Sequence, residues 1–233
     1  MNLLADALAW LTDPAHWSGA GGLSARTVEH LGITALVVLL AALVAVPVGI
    51  VVGHTGRGAG LVGAVANGAR AVPTLGLLTL VGLWIGIGLT APVIALVVLA
   101  VPSLLAGTYA GIAAVDPRTR DAAAAQGMTT GQVIRGVELP LAAPVVVGAF
   151  RVATLQVVST ATLAAYVADV GLGRLLFAGL KTGDYAMMLA TAIVVIALAL
   201  VLELLWAAAQ RLATTRLADP ARRAPRPGRQ HTP

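Results

Sequence analysis

Residues 31–53 read LGITALVVLLAALVAVPVGIVVG, and no charged side chain interrupts this apolar run. A helix needs about 20 consecutive apolar residues to cross the hydrocarbon core of a bilayer, which is about 30 Å thick. The run is long enough to do so. It therefore predicts an integral membrane protein.

The composition of the whole chain agrees with that prediction. Of the 233 residues, 58% are hydrophobic and 11% are charged, and the mean hydropathy is +0.91. Soluble domains carry about 25% charged residues, so this chain has too few charges to cover the surface of a soluble fold. It also has no cysteine, which excludes a disulfide framework and a thiolate metal site.

Four more apolar runs follow, which makes five predicted spans: residues 31–53, 61–87, 92–114, 141–168 and 185–209. They divide the chain into three parts. These are an N-terminal interfacial helix and linker (1–24), a transmembrane domain (25–210) with a cytoplasmic loop (115–140), and a basic disordered cytoplasmic tail (211–233).

The basic residues indicate the orientation. With the N-terminus outside, eleven Lys and Arg residues face the cytoplasm, three face outward, and Arg151 lies within a span. Positively charged loops favour the cytoplasmic side, so the N-terminus is predicted outside and the C-terminus inside. The net charge of +5 is thus a topology signal. Because few aromatic residues alternate with the basic ones, nucleic-acid binding is not expected.

No pattern of residues predicts catalysis or metal binding. The four histidines are scattered, and none is expected inside a span with a partner carboxylate; they are His16, His30, His54 and His231. Residues 58–63 (GAGLVG) match a phosphate-binding pattern, but that pattern needs a strand before it and a helix after it. Here it falls between two membrane helices and predicts a turn.

Small residues four apart within the spans predict helices that approach closely in lipid. The pairs are Gly49 with Gly53, Gly82 with Gly86, and Gly107 with Gly111.

The segment 121–140 reads DAAAAQGMTTGQVIRGVELP. Its residues predict a helix, a break at Gly127, and a second short helix that Pro140 ends. Taken alone, it could be an ordinary connecting loop.

The spacing of this segment resembles the E-A-A-x3-G-x9-I-x-L-P loop of binding-protein-dependent ABC importer permeases. The matching positions are Asp121, Ala122, Ala123, Gly127, Val137, Leu139 and Pro140. Asp121 stands for Glu and Val137 for Ile, and the carboxylate is retained. The resemblance implies an all-α fold with a methionine-permease-like core of five helices.

Four other stretches look like the osmoprotectant branch of that family, which imports glycine betaine, carnitine, choline or proline. They read RAVPTLGLL from Arg70, VDPRTRD from Val115, VELPLAAP from Val137 and VGLGRLLFAG from Val170. Residues 168–170 (ADV) depart from that branch, which is usually richer in glycine before its Gly-Leu-Gly.

The resemblance also implies alternating access and a set of partners. A cytoplasmic ATPase subunit would bind ATP and Mg, so this chain needs no cofactor and is not itself an enzyme. An extracytoplasmic solute-binding protein, a second permease copy or paralogue, and membrane lipid complete the set. The helix from Asp121 to Gly127 would dock on the ATPase.

Polar residues within a span are costly in lipid and are candidates for function. Those in the fourth span are Arg151, Thr154, Ser159, Thr162 and Tyr166, and they could line a translocation path. For the hydroxyls, the favoured interpretation is that they bond neighbouring helices. For Arg151 both interpretations stay open, and in the structural one it could reach the inner interface or pair with Glu203.

Two other functions stay open. One is an ABC permease for a different solute, such as an amino acid. The other is a stand-alone secondary transporter, although such carriers often show internal repeats, and none is evident here.

Overall fold

The computed structural model describes residues 2–222, without the side chains of residues 70 and 216–222. This part of the chain forms ten α-helices. They are α1 (Leu3–Thr12), α2 (Leu23–Thr55), α3 (Ala59–Ala71), α4 (Thr74–Ile85), α5 (Thr90–Ala113), α6 (Pro117–Ala125), α7 (Thr130–Val133), α8 (Leu139–Thr160), α9 (Gly173–Thr182) and α10 (Tyr185–Arg222). Short 3₁₀ turns cover Pro14–His16 and Ala161–Tyr166, and a π-helical turn covers Ile134–Glu138.

The core lies among α2, α5 and α8. Val37 of α2, Leu104 of α5 and Val157 of α8 are fully buried in one apolar cluster. Two of the predicted glycine pairs explain how closely these helices pack. A Cβ at Gly49 would lie 2.8 Å from the Cβ of Thr108, and one at Gly53 would lie 2.7 Å from that of Ile112. Both distances are too short for a side chain, so α2 can reach α5 only through glycine.

The pair Gly107 and Gly111 brings α5 against α8 in the same way, at Ala149 and Val145. The third predicted pair is wrong. Gly82 contacts Val167, but Gly86 ends α4 at φ +101, and no atom lies within 4 Å of its Cβ position. Glycine adopts this φ readily because it has no side chain.

The predicted second span, residues 61–87, is not one helix. It consists of α3 and α4, which meet at an angle of 86°. Pro73 causes the break because it has no N–H to donate and disfavours a helical conformation in the residue before it. Val72 is accordingly extended, at φ −77 and ψ 122. Within residues 2–222, four single helices are long and apolar enough to cross a membrane, and there are five if the bent pair counts as one span.

The outer layers of the fold are α1, α9 and α10. Both α1 and α9 pack on α10, which also packs on α8. The helix α10 continues to Arg222, so residues 211–222 are helical and the prediction of a disordered segment starting at 211 is wrong for them. A helix long enough to leave the membrane can continue without a break, and no proline or glycine lies between residues 211 and 219. Residues 223–233 lie outside the described part of the chain.

Candidate coupling segment and charged clusters

The helix α6 begins and ends on recognisable local signals. The side chain of Asp116 caps it by accepting a hydrogen bond from the N–H of Arg118 (2.9 Å), and Pro117 occupies the first helical position. Both residues are favoured there. Gly127 then reverses the chain at φ +85, which glycine tolerates best. The predicted helix and its break are therefore present.

Within α6, Asp121 and Ala122 are exposed, while Ala123 is buried. Gly127 is also exposed. The helix contacts α7 and the π-helical turn that follows it. The two halves of the motif, 121–127 and 137–140, thus lie in neighbouring elements at one end of the molecule.

The second half of the segment differs from the prediction. Thr129 and Gln132 form a capping box that starts α7, but Pro140 does not end this short helix. Instead, the chain passes through the π-helical turn directly into α8. The N–H of Leu139 bonds to the oxygen of Ile134, five residues back. The wider turn accommodates a proline, which has no N–H and would crowd the carbonyl four residues earlier in a regular helix.

A buried carboxylate lies beside this turn. Glu138 is fully buried, and both of its oxygens lie 2.9 Å from Nδ1 of His54, near the end of α2. Its Oε1 also lies 2.7 Å from Nε of Arg120 in α6. The Arg120 N–H is not directed along that contact, so the contact is an ion pair rather than an aligned hydrogen bond. These three residues are called the buried cluster below.

The buried cluster gives one histidine a carboxylate partner, but His54 lies one residue beyond the predicted span 31–53, so the expectation for histidines inside a span is not contradicted. His54 lies in α2, and its Nδ1 is placed to donate a hydrogen bond to the Glu138 carboxylate in the tautomer that carries the proton on that nitrogen. Another histidine of α2, His30, is fully buried and donates from Nε2 to the carbonyl oxygen of Val158 (2.8 Å). This bond joins α2 to α8.

A second group of charges lies at the other end of α2. Arg26 contacts Oε2 of Glu29 (2.9 Å) and Oδ1 of Asp169 (3.1 Å), and Arg174 contacts the same Asp169 oxygen (2.7 Å). The N–H of Gly171 donates to Glu29 (2.9 Å). These four charged residues, Arg26, Glu29, Asp169 and Arg174, are called the exposed network, because 68% of the Asp169 side chain is accessible.

Of the five polar residues predicted for a path, Arg151 is paired with Glu203 of α10. Its Nε donates to Glu203 Oε2 (2.7 Å), and its Nη1 donates to Gln210 (3.2 Å). This answers the question left open for Arg151, because the partner is a carboxylate of the neighbouring helix. Both side chains of the pair are about a third exposed.

The other four predicted residues do not share one surface. Ser159 and Thr162 line a cavity of about 540 Å³ between α8, α9 and α10, together with Glu203. Thr154 lines a separate apolar cavity of about 430 Å³ with Phe150 and Trp206. Tyr166 is half-exposed and lies near Phe177, with ring centroids 6.3 Å apart.

The sequence of residues 45–217 matches the family described as binding-protein-dependent transport system inner membrane component. The chain belongs to this family. It is therefore a multi-pass inner-membrane permease subunit of an ABC importer, as its resemblance implied.

Two relatives of the permease are similar over most of their length. The choline transport system permease protein OpuBB of Bacillus subtilis (strain 168) is 34% identical over 197 residues, which cover 84% of this chain and 91% of the relative. The osmoprotectant import permease protein OsmW of Salmonella typhimurium is 32% identical, over 82% of this chain and 92% of the relative.

Solved structures share the fold. The permease aligns with a chain of the inward-facing MetNI methionine ABC transporter at a TM-score of 0.71 and 22% identity, covering 88% of this chain and 97% of the other. At this identity the likeness establishes the fold alone. The prediction of a methionine-permease-like helical core is confirmed.

Sequence reasoning missed three ionisable residues of the permease. Glu138 stands inside the motif, and Arg120 stands one residue before it, yet neither was singled out. His54 was set aside because its partner is 84 residues away in the chain. The available signal was the position of Glu138, a single carboxylate at the start of a long apolar run. Among residues 2–222, no group of His, Asp and Glu residues could hold a metal ion.

Proposed function

We propose that this permease translocates a small osmoprotectant (glycine betaine, choline, carnitine or proline) by alternating access, driven by a separate ATPase subunit. The observation that carries the solute class is the 34% identity with a permease named for choline transport. The relative named for osmoprotectant import supports the same class.

The partners follow from the family. An ATPase subunit would bind ATP and Mg in the cytoplasm, and an extracytoplasmic binding protein would deliver the solute. A second permease, either a copy or a paralogue, would complete the pore. The distribution of basic residues supports a cytoplasmic C-terminus and an N-terminus outside.

The segment from α6 to Pro140 is proposed to receive the ATPase. Asp121 and Ala122 of α6 are exposed, and small side chains there leave room for close approach. Beside α6, a concavity of about 490 Å³ is lined by Met128, Gln132 and Arg135, among others. The cation Arg135 lies there beside exposed polar atoms. Such a surface suits contact with another protein better than burial in lipid.

The cavity that holds Ser159, Thr162 and Glu203 is proposed as part of the translocation path. A carboxylate and two hydroxyls at the edge of a membrane cavity are expensive in lipid, and they suit a polar solute better. Arg151 would serve this site by holding Glu203 in place. Neither proposal extends to Tyr166 or Thr154, which lie elsewhere.

The test is uptake of labelled choline, carnitine and glycine betaine at high salt, in cells that lack this gene and in complemented cells. We expect ATP-dependent uptake of at least one of these solutes to be lost and then restored, while uptake of labelled methionine is unaffected. Restoration of methionine or histidine uptake alone would contradict the osmoprotectant assignment. Uptake that survives ATP depletion would contradict the ABC mechanism.

The path is tested with Ser159→Ala and Thr162→Val, each of which removes a hydroxyl without adding bulk to the side chain. Thr214→Val is the matched control, because Thr214 is exposed on α10 and bonds only to the oxygen of Gln210. We expect the first two variants to raise the apparent KM for uptake and the control to leave it unchanged. Equal values in all three would contradict the assignment of the path.

A further inference from the structure

The buried cluster joins four elements at one point. Glu138 belongs to the turn that starts α8, Arg120 to α6, and His54 to the end of α2. Arg120 also donates a hydrogen bond through Nη2 to the carbonyl oxygen of Ile112, in the last turn of α5. One arginine therefore ties the candidate docking helix to a carbonyl in the last turn of α5 and to a buried carboxylate at the start of the next span.

Other side-chain attachments of α6 are weak. All nine residues of α6 are described, and Ala123 alone among them is buried. An alanine removes little apolar surface from water, so burial holds α6 only loosely. The contacts of Arg120 are consequently the main side-chain link between α6 and the membrane helices.

The cluster resists separation of its parts. A carboxylate as deeply buried as Glu138 is stable as an anion only while its cationic and N–H partners stay close. A displacement of α6 must therefore either carry Glu138 along or leave a charge unpaired.

Movement of Glu138 would reach two membrane helices. Glu138 immediately precedes α8, so α8 follows directly. His54 connects the carboxylate to α2, and α2 is packed on α5 through Gly53, where an added Cβ would lie 2.7 Å from Ile112. The ends of α2 and α5 are thus expected to move as one unit.

We infer that Arg120, Glu138 and His54 are positioning residues that transmit the displacement of α6 to α2 and α8. The inference rests on the proposed function, in which α6 docks on the ATPase. It goes beyond the docking motif, because Arg120 and His54 lie outside the motif and Glu138 occupies a position that the motif leaves variable.

The experiment uses the complete complex of permease, ATPase and binding protein in proteoliposomes. Arg120→Gln and Glu138→Gln remove one charge each. Arg57→Gln is the matched control, because Arg57 is an exposed arginine close to His54 in the chain and lies outside the segment proposed to dock on the ATPase. His54→Gln supplies a milder variant that leaves the Arg120–Glu138 pair intact, which guards against misfolding of the other two. Arg120→Lys tests rescue by the conservative charge.

Two readouts are combined. The first is labelled choline transported per ATP hydrolysed. The second is the ATP-driven change in distance between spin labels on Val51→Cys in α2 and Leu212→Cys in α10, which are both exposed positions in a chain without cysteine. The second readout does not require knowledge of the solute.

For Arg120→Gln and Glu138→Gln, we expect ATP hydrolysis to continue while choline transported per ATP falls about fivefold or more, at the lower end of typical coupling effects. The distance change should shrink in parallel. The loss should be smaller for His54→Gln, partly restored for Arg120→Lys, and absent for Arg57→Gln. A purely structural role would lower both activities together and leave their ratio constant.

The outcomes separate the inference from the proposed function. If the wild-type complex does not transport choline but shows a distance change that the cluster variants lose, the solute assignment fails and the inference stands. If folded cluster variants keep both the ratio and the distance change, the inference is overturned. It is also overturned if the wild-type complex shows no ATP-driven change at α2.

Discussion

The two ends of α2 are both tied to the rest of the molecule by charged side chains, but in different surroundings. At the amino-terminal end, the exposed network joins α2 to the segment 169–174, and 43% of Arg174 is accessible to solvent. At the carboxyl-terminal end, the buried cluster holds a carboxylate that is fully buried. The same kind of contact therefore has a different energetic weight at each end.

The difference shows at which end of α2 the ion pairs can separate at low energetic cost. Exposed ion pairs contribute about 0–1 kcal/mol, because water and salt screen them. Removing one partner of a buried pair costs about 3–5 kcal/mol, since the other charge is left unpaired. The end of α2 near α6 is therefore held firmly, as transmission of movement requires, while the other end can adjust at low cost.

The largest effect is expected for Glu138→Ala. This change leaves Arg120 without its carboxylate and opens a cavity, so we expect a loss of about 3–5 kcal/mol of stability. Thermal unfolding of the detergent-solubilised protein measures it. If the midpoint matches that of the wild type, the two ends of α2 do not differ in the way argued.

A smaller effect is expected for Arg151→Met, which leaves Glu203 unpaired within a span. We expect less folded protein and less uptake. In the double variant Arg151→Met with Glu203→Gln, no charge remains unpaired, so the amount of folded protein should recover while uptake stays low.

Fluorescence-detected size exclusion measures the folded amount of this double variant, and solute uptake measures its function. Recovery of uptake together with folding would show that the pair is only structural and would remove Glu203 from the proposed path.

Next in size is Gly127→Ala at the break after α6. An added Cβ meets no atom within 4 Å, but φ is +85, so the substitution is strained by about 1 kcal/mol through the backbone alone. Gly60→Ala is the control, since Gly60 also meets no atom, has no positive φ and lies in α3, outside the proposed docking segment. Uptake should fall for Gly127→Ala and not for Gly60→Ala. An equal effect would mean that the shape of this turn is unimportant.

The smallest effect is expected at the exposed network. Asp169→Asn should cost about 1 kcal/mol or less at low salt. The difference should vanish near 1 M salt, where the screening length falls to about 3 Å. Thermal unfolding at both salt concentrations checks this. A loss of stability as large as that caused by Glu138→Ala would show that the two ends of α2 do not differ energetically.

Much of this architecture could be predicted from the sequence, because long apolar runs such as 31–53 leave few alternatives. The glycine spacing correctly predicted close helix packing at Gly49 and Gly53, but it did not indicate that the partner helix would be α5. Local signals also predicted the helix that Asp116 caps and its break at Gly127. In these cases the information lies within a few residues.

The remaining features were not predictable for two reasons. Some depend on contacts between segments that are distant in the chain, and others depend on how the helical backbone accommodates a proline. The hydropathy of residues 61–87 gave no sign of an 86° bend, although Pro73 marked its position. Pro140 was read as a helix end because proline usually is one, whereas a π-helical turn accommodates it here. His54 and Glu138 are 84 residues apart, and nothing local indicates that they meet.

The orientation of α2 tests the account most directly. The buried cluster can transmit ATP-driven motion only if the carboxyl-terminal end of α2, where His54 lies, faces the cytoplasm. The chain has no cysteine, so the exposed positions Ala122 in α6 and Ala178 in α9 can each carry a single Ala→Cys change. A membrane-impermeant thiol reagent is applied to intact and to permeabilised cells. We predict that the Ala178→Cys variant reacts in intact cells and that the Ala122→Cys variant reacts only after permeabilisation. Reaction of the Ala122→Cys variant in intact cells would place the buried cluster outside and contradict the account.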